Sequence, residues 1–316
     1  MMESKKGMEQ TTNKVNITGI LVKCGLEKRN LGEENECISG DLVIRTKDGS
    51  EHEVNYYTNK YKKDPNDNKK FTNDVSKMYT GYETIIEEYQ SLENSETPDI
   101  VSVGFGEFSA NDFVSQKDGS IISSAKIRGK FANRLTSQEI EITPQVATYE
   151  VSGIITKMGE EVFKSGATGN GIVMLDIIGY NGTIIPVKFV IPEALVVPFG
   201  GVGFYQDGTA KLSGIIINTK ESETITEKQA FGADLVKTVT LTKRRNEVCG
   251  GSPLGTIYDL KITDEEYNTA KSKRRLHLEE VKNKKKGQSN ANSTSDTAFT
   301  GQPPITNPFA NPFAQK

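Results

Sequence analysis

The sequence predicts a mostly β chain in which two small barrels follow one another, the first with an inserted helix, before a charged C-terminal helix and a disordered tail. Three observations support this fold class. A strand-like phrase occurs twice, short apolar alternations recur between turn signals, and one segment of the first half has strong helical periodicity.

The repeated phrase runs over Ile17–Gly25 and returns over Val151–Gly159, with glycine, aliphatic, lysine and sulfur-bearing residues in the same order. A glycine inside a β-branched run weakens a strand unless the strand must bend or bulge there. The same choice made twice predicts a bent first strand in each of two related units. Two further matches follow in the same order: Asp48-Gly49 with Asn181-Gly182, and Ala125–Asn133 with Ala210–Asn218.

The first predicted unit covers residues 15–145 and follows a polar, disordered segment over residues 1–14. Between its third and fourth strands, residues 72–93 carry apolar side chains at helical spacing, and Thr72, Asn73 or Asp74 supplies the N-cap. We expect most of that apolar face to pack against the barrel. Alternation predicts the strands of this unit at Val15–Lys23, Cys37–Thr46, Glu51–Tyr61, Ile100–Phe108 and Ile121–Arg134.

The second predicted unit, residues 146–222, is shorter. Its strands are expected near 149–157, 171–179, 183–191 and 210–218. Residues 223–286 are predicted to contain a strand over Leu235–Arg245, a loop at Cys249–Pro253, a strand over Ile257–Ile262 and a charged helix whose start, Thr263 to Glu266, has capping-box spacing. Residues 287–316 are rich in Asn, Ser, Thr and Pro and predict a disordered tail.

Composition limits the classes of function that the chain can have. Of 316 residues, 35% are hydrophobic and 26% are charged, and the formal net charge is -3, so any nucleic-acid surface must be local. Cys24, Cys37 and Cys249 are too widely spaced to form a zinc site with the two histidines, and they fit a reducing cytoplasm. The apolar runs are too short to span a membrane. No catalytic grouping is indicated by spacing, so we expect neither an enzyme nor a bound cofactor.

The order of the predicted elements is that of an oligonucleotide/oligosaccharide-binding (OB) barrel, with short strands and a helix between the third and the fourth. Val15–Leu21 resembles the opening strand of bacterial and phage single-stranded DNA-binding proteins. Gly208–Ile216 resembles a later strand pair of that family, and Ser124–Phe131 repeats its pattern. The resemblance covers both predicted units as a pattern and implies a tandem OB fold.

The resemblance also implies a non-catalytic protein that coats single-stranded DNA during replication or recombination in the cytoplasm of a bacterial host. We expect the protein to serve a phage or mobile element of a Gram-positive bacterium, and the host is suggested by Lys-, Asn- and Ile-rich usage. The family recruits replication or recombination proteins through a phenylalanine-tipped acidic tail. Phe309 and Phe313 are such tips, but this tail is neutral and ends in Lys316. A protein-binding adaptor with OB-like domains and an RNA-binding protein remain alternatives.

Binding of a single strand without sequence readout needs flat rings that stack on bases and cations that neutralise phosphates. Both occur in residues 55–63, where Tyr57 and Tyr61 are expected to share one strand face and to stack on bases. The alternative is that one tyrosine set fills the core, and the match of Tyr56 with Phe189 assigns that role to Tyr56. The cations predicted to contact phosphates here are Lys60, Lys62 and Lys63.

Further predicted nucleic-acid contacts lie outside that segment. Phe204 and Tyr205 follow a glycine-rich stretch that could form a base-stacking loop or simply pack into the core. Lys243–Arg245 and Lys271–Arg275 could hold phosphate, although a solvated helix face explains the second run better. The remaining candidate cations line one sheet face or end the repeated phrase, with a solvated face as the alternative: Lys126, Arg128, Lys130, Arg134, Lys23 and Lys157.

Overall fold

The computed structural model describes residues 8–30, 36–65, 67, 70–163, 166–227, 231 and 235–291, with the backbone alone for 221–227, 235–241 and 284–291. The chain is built mainly from β-strands, which form two barrels followed by a long helix. The predicted fold class is thereby confirmed. None of the helices in these ranges is long and apolar enough to cross a membrane.

The first barrel spans residues 13–134. Its hydrogen-bonded elements are β1 (Asn13–Cys24), β2 (Glu27–Asn30), β3 (Glu36–Arg45), β4 (Glu51–Asn59), β5 (Tyr61–Lys63), β6 (Phe71–Val75), α1 (Lys77–Glu88), β7 (Ile100–Gly104), β8 (Glu107–Val114), β9 (Ile121–Arg128) and β10 (Phe131–Arg134). The strands follow the order β1-β3-β4-β9-β8, and β7 pairs with β1 to close the circle. β7 and β8 are two halves of one strand, interrupted at Phe105 and Gly106.

A short helix, α2 (Ser137–Ile142), leads into the second barrel. The elements that follow are β11 (Ala147–Phe163), β12 (Gly166–Ile178), a 3-10 turn (Tyr180–Gly182), β13 (Ile184–Ile191), α3 (Glu193–Gly201), β14 (Thr209–Glu227), β15 (Leu235–Gly255), a second 3-10 turn (Ile257–Leu260) and α4 (Asp264–Ala291). The strands follow the order β12-β13-β15-β14-β11, and β11 pairs with β12 to close the barrel.

Both barrels have the strand order of an OB fold. The first strand pairs with the second and fourth, the third runs parallel to the fifth, and a helix separates the third from the fourth. That helix is α1 in the first barrel and α3 in the second, where the sequence predicted none. The second barrel closes through β15, whereas the predicted unit ended at residue 222, inside β14. We therefore propose a second unit that extends to Gly255.

The first strands of the two barrels bend at equivalent places in the repeated phrase. The pairing register of β1 shifts between Leu21 and Lys23, and that of β11 shifts between Ile155 and Lys157. A bulge of this kind bends a strand and increases its twist. The predicted bent first strand is therefore present in both barrels.

The repeated glycine is required because another backbone approaches it. A Cβ atom on Gly19 would collide with the carbonyl oxygen of Arg45, and one on Gly153 would collide with that of Asp176. Both oxygens belong to strands held in the barrel wall, so neither can withdraw without breaking the pairing.

We expect Gly153→Ala to lower the free energy of unfolding by about 1–3 kcal/mol, because the added methyl overpacks the barrel wall. Gly159→Ala, on the same strand, is the matched control, since no atom lies within 4 Å of its Cβ position. That control should be neutral or stabilising by about 0.4–1 kcal/mol. Urea unfolding of both variants measures the difference, and equal effects would contradict the steric explanation.

The two barrels share a strand pairing and a core. Residues 13–17 of β1 pair antiparallel with residues 147–151 of β11, which joins the barrels into one sheet. Phe108 of the first barrel lies edge-on to Tyr149 and Phe189 of the second, with ring centroids 6.1 Å apart in both pairs. All three rings are buried. The orientation of one barrel relative to the other is therefore set by backbone pairing and by aromatic packing.

Helix α4 covers the end of the second barrel. It begins with the predicted capping box, in which the Glu266 carboxylate accepts from the Thr263 amide at 2.9 Å and the Thr263 hydroxyl accepts from the Glu266 amide at 3.2 Å. Tyr267 packs beside Ile154 and Ile178 of the barrel. This part of α4 is therefore fixed to the second barrel.

Arg274 of α4 connects both barrels, rather than lying on a solvated helix face or holding phosphate. Its guanidinium donates to the two oxygens of Asp112 at 2.8 and 3.2 Å, to the carbonyl of Ile184 at 3.0 Å and to the hydroxyl of Ser123 at 3.2 Å. The Asp112 side chain is only 2% exposed. Two barrels and one helix thus meet at the buried Asp112 carboxylate, which His277 of α4 also approaches, with its Nε2 atom 3.7 Å away.

The predicted helix over residues 72–93 is shorter than expected. Phe71–Val75 forms a strand instead, because it pairs with Tyr61–Lys63, and α1 begins after Ser76. The expected caps Thr72, Asn73 and Asp74 therefore do not cap the helix. Its buried face is formed by Tyr79, Tyr82 and Ile85, as the helical periodicity predicted.

The C-terminal strand predictions need two corrections. Cys249–Pro253 is part of β15 rather than a loop, because it pairs with β14, and Ile257–Leu260 is a 3-10 turn rather than a strand. Residues 287–291, predicted as tail, continue the backbone of α4. At the other end, the Thr11 amide donates to the carbonyl of Ile178 at 3.0 Å, so the chain is engaged before the expected first strand.

The third sequence match joins strands that are not equivalent. Ala125–Asn133 begins in β9, the fifth strand of its barrel, whereas the matched segment begins in β14, a fourth strand. Gly106 and Gly214 are the equivalent glycines, since Gly106 lies opposite Val15 and Gly214 lies opposite Tyr149. Alternating strands around a glycine look alike in sequence, which explains the misalignment.

Candidate nucleic-acid interface

A cleft of about 610 Å³ lies between the two barrels. Its lining comes mainly from the second, third and fifth strands of each barrel, and the second and third strands form the face that OB folds use for oligonucleotides. The fourth strands, β8 and β14, and the first strand of the second barrel, β11, also contribute residues. The charged or long side chains on the first barrel's wall are Asp41, Glu53 and Lys126, and those on the second barrel's wall are Glu161, Met174, Lys188, Arg244 and Arg245.

Alternation along β4 decides which side chains reach this surface. His52, Val54 and Tyr56 are buried, so Asn55 and Tyr57 project outward. The Tyr56 ring meets Tyr82 edge-on at 5.5 Å, which confirms its predicted core position. Asn55 lines the cleft, and Tyr57, which is 38% exposed, follows it on the same face.

The lysines that end the repeated phrase lie on outward rows that lead to the cleft. In the second barrel, Lys157 lies opposite Met174 and Met174 opposite Lys188. Met174 and Lys188 line the cleft. In the first barrel, Lys23 lies opposite Val43, which lies opposite Glu53 of the cleft wall. Because directly opposed residues share a sheet face, these rows place both lysines on the outward faces of their barrels, although neither lysine lines the cleft itself.

Several predicted phosphate-binding cations already have carboxylate partners. These ion pairs are Lys23–Glu93 at 3.5 Å, Lys60–Glu36 at 2.6 Å, Lys62–Asp74 at 3.8 Å, and Arg134 with Asp99 at 3.5 Å and Glu88 at 3.8 Å. Within the described ranges, the other five have no carboxylate within 4.0 Å: Lys63, Lys126, Arg128, Lys130 and Lys157. An unpaired cation gains more from a phosphate, so the second group is the stronger candidate set.

Tyr57 and Tyr61 do not lie on one strand as predicted. β4 ends at Asn59, and Tyr61 starts β5, which pairs with β6 in a separate two-stranded sheet. Tyr61 is half-buried, with the Lys60 ammonium 5.7 Å from its ring centroid. Tyr57 is therefore the tyrosine of this pair that continues the cleft wall, and its role in stacking stays a prediction.

The expected glycine-rich stacking loop is partly helical. Glu193–Gly201 forms α3, and Phe204 stacks on Phe199 of that helix with ring centroids 4.0 Å apart. The Tyr205 hydroxyl donates to the carbonyl of Gly255 at 2.9 Å. Phe204 thus has a packing partner, while the Tyr205 ring remains 49% exposed. Neither residue lines the cleft. The tail residues Phe309 and Phe313 lie outside the described residues.

The structure adds Phe163 to the predicted residues and singles out Arg244 from the basic run 243–245. Phe163, at the end of β11, is 57% exposed and lines the cleft. Arg244 lines it too, without a carboxylate partner in the described part of the chain, whereas Arg245 pairs with Glu247 at 2.6 Å. The basic run at 243–245 signalled a possible phosphate contact. Nothing in the sequence signalled that Phe163 faces the other barrel, because that depends on how the barrels pack.

His52, at the base of the cleft, is 2% exposed. Burial lowers the pKa of His52 to about 4, Asp48 opposes this effect, and Arg244 adds to it. Between about pH 4 and pH 6.5, the folded protein therefore keeps His52 neutral, whereas the unfolded chain protonates it. Stability must fall as the pH drops from about 6.5 towards about 4.

We expect acidification over that window to remove about 3 kcal/mol of stability through His52. Urea unfolding at a series of pH values measures the loss. His52→Gln should flatten the profile, because it removes the buried group that titrates in this window. An unchanged slope in His52→Gln would assign the loss to other groups.

The comparisons with known proteins give one family and distant structural likenesses. No curated protein matches the chain. The wild-type single-stranded DNA-binding protein from Thermus aquaticus is 12% identical, covers 78% of this chain and 94% of its own, and has a TM-score of 0.40. A deletion mutant of that protein is 13% identical, covers 77% of this chain and 95% of its own, and has a TM-score of 0.39. A chain of a replication protein A heterotrimer bound to single-stranded DNA is 10% identical, covers 77% of this chain and 51% of its own, and has a TM-score of 0.19. The YorF family model matches residues 11–284, which is most of the sequence, and the chain belongs to the YorF family.

Proposed function

We propose that the chain binds single-stranded DNA in the cleft between its barrels, without catalysing a reaction. The observation that supports this most strongly is the convergence of two OB binding faces on one cleft. Such a cleft offers a strand a continuous path across both barrels.

The side chains at the cleft have the two properties that single-strand binding needs. Lys126 and Arg244 are cations of the lining without a carboxylate partner among the described residues, and they come from opposite walls. Phe163 lines the cleft, and Tyr57, which follows the lining residue Asn55 on the same strand face, offers a second exposed ring. Cations neutralise phosphates and rings stack on unpaired bases, whose faces a duplex does not expose.

The carboxylates of the cleft restrict where phosphates can lie. The negative charge of Glu161 is paired with the Lys188 ammonium at 3.6 Å, and the Asp41 carboxylate accepts a hydrogen bond from the side-chain amide of Asn55 at 3.1 Å. Glu53 has no cation within 4.0 Å in the described ranges. A strand would therefore follow the cations Lys126 and Arg244 and keep its phosphates away from Glu53.

Fluorescence anisotropy with a labelled oligo-dT of about 30 nucleotides, long enough for two OB folds, tests the proposal. We expect binding that weakens steeply with salt and that duplex DNA competes for poorly. No binding at low salt would contradict the proposal and favour the protein-binding adaptor. Equal competition by RNA of the same sequence would change the ligand to single-stranded nucleic acid in general.

We further propose that this binding covers exposed strands during replication or recombination of a phage or mobile element, and that the tail engages a replication or recombination protein. The support is the sequence resemblance together with Phe309 and Phe313 near the C-terminus. A tail peptide should bind such a partner, and a peptide with both phenylalanines replaced by alanine should not.

A further inference from the structure

An exposed aromatic pair lies at the interruption between β7 and β8, outside the cleft. Phe105 is 73% exposed and Phe131 is 38% exposed, and their rings meet edge-to-face with centroids 5.9 Å apart. Phe105 has φ of 52°, in the left-handed region. A bulky residue rarely adopts that conformation, and residues held in it concentrate at functional sites.

The local strand geometry turns both rings outward. Val103 and Phe108 are buried on either side of Phe105, so the alternation of the fourth strand is interrupted between them. Phe131 begins β10, which continues the fifth strand after β9, and it pairs with Gly104 of β7. The Lys130 amide donates to the Gly104 carbonyl at 3.2 Å. The core therefore gains little from the Phe105 ring.

The fifth strand connects this pair to the cleft. Lys126 lines the cleft, Arg128 follows on the same outward face, and Lys130 precedes Phe131. Four residues separate Lys126 from Lys130 across the break between β9 and β10, so their Cα atoms are at most about 14 Å apart. All three cations lack carboxylate partners among the residues that the structure describes. A positively charged path thus runs from the cleft to the two rings.

We propose that Phe105 and Phe131 form a second base-stacking subsite, which holds bases of the same single strand after it leaves the cleft along β9. This inference rests on the proposed function. Continuity with the cleft and the unpaired cations favour a nucleic-acid strand over a protein as the occupant. The left-handed backbone at Phe105 then serves to present a ring face to a base.

The absence of tryptophan from the sequence allows a direct test. Phe105→Trp places a single indole in the subsite, and stacking of a base on it should quench its fluorescence. Tyr180→Trp is the matched control, since Tyr180 is 74% exposed and lies at a turn that does not line the cleft. Oligo-dT of about 8 and about 30 nucleotides gives a short and a long ligand within the range of OB site sizes.

We expect the long oligonucleotide to quench the indole at position 105 and to leave the one at position 180 unchanged. Phe105→Ala with Phe131→Ala should weaken binding of the long ligand about 10-fold or more and leave the short one unchanged. Phe105→Gly removes the ring and relieves the backbone, so it should lose affinity for the long ligand without a lower Tm.

The outcomes separate this inference from the proposed function. Normal affinity of all variants for the long ligand, without quenching at position 105, would overturn the subsite and leave binding in the cleft intact. Quenching at both positions would also overturn it, because the signal would not be local. Failure of the unmodified protein to bind either ligand would overturn both.

Discussion

Replacing Arg274 with methionine should lower the free energy of unfolding by about 3–5 kcal/mol, the cost of leaving the buried Asp112 carboxylate without its arginine partner. The Asp112 carboxylate is 2% exposed and accepts one hydrogen bond from each terminal nitrogen of the Arg274 guanidinium. Few surface substitutions cost more than about 0.5 kcal/mol, so the effect should be evident in urea unfolding.

Two further variants show whether the loss comes from the ion pair. Arg275→Met changes the next residue of α4, which is exposed, and should leave stability within about 0.5 kcal/mol of the unmodified protein. Arg274→Met combined with Asp112→Leu removes both charges and should recover most of the loss, because a buried pair can be replaced by apolar groups at little cost. A double variant as unstable as Arg274→Met would show that packing, not charge, is lost.

Local sequence patterns correctly predicted the structural features that depend on residues close together in the chain. The glycine phrase predicted two bent first strands, and helical spacing predicted the buried face of α1. The core position of Tyr56 followed from alternation and from its match with Phe189. Each of these depends on a period or a steric restriction that a single segment carries.

Sequence patterns did not predict contacts between segments that are distant in the chain. Arg274 looked like one more cation of a charged helix, because its partner Asp112 lies on a strand of the other barrel. Phe163 looked like the end of a strand, although it faces the first barrel across the cleft. The common origin of the two barrels stays a prediction, supported by the first phrase and by equal strand order.

The same limit affects the candidate site. Lys60 and Lys63 look alike in a basic run, but Lys60 is held by Glu36 and Lys63 has no such partner within the described ranges. Ion pairing across strands therefore divides the predicted cations in a way that spacing cannot show. Binding measurements test this division.

Removing the rings of Tyr57 and Phe163 together should weaken oligo-dT binding by about 2–6 kcal/mol, since one stacked base contributes about 1–3 kcal/mol. Both side chains are more than a third exposed, so the double alanine variant should unfold at nearly the same urea concentration as the unmodified protein. Tyr180→Ala is the control for loss of an exposed ring away from the cleft.

The salt dependence of binding should separate these rings from the cations. Lys126→Gln and Arg244→Gln should each reduce the slope of log K against log salt by about 0.7, the value for one phosphate contact on a single strand. Lys62→Gln, which removes a cation paired with Asp74, should change it less. The ring variant should lose affinity equally at every salt concentration, because stacking releases no counterions. If the ring variant lost slope and the cation variants did not, the assignment of stacking and phosphate contacts in the cleft would have to be reversed.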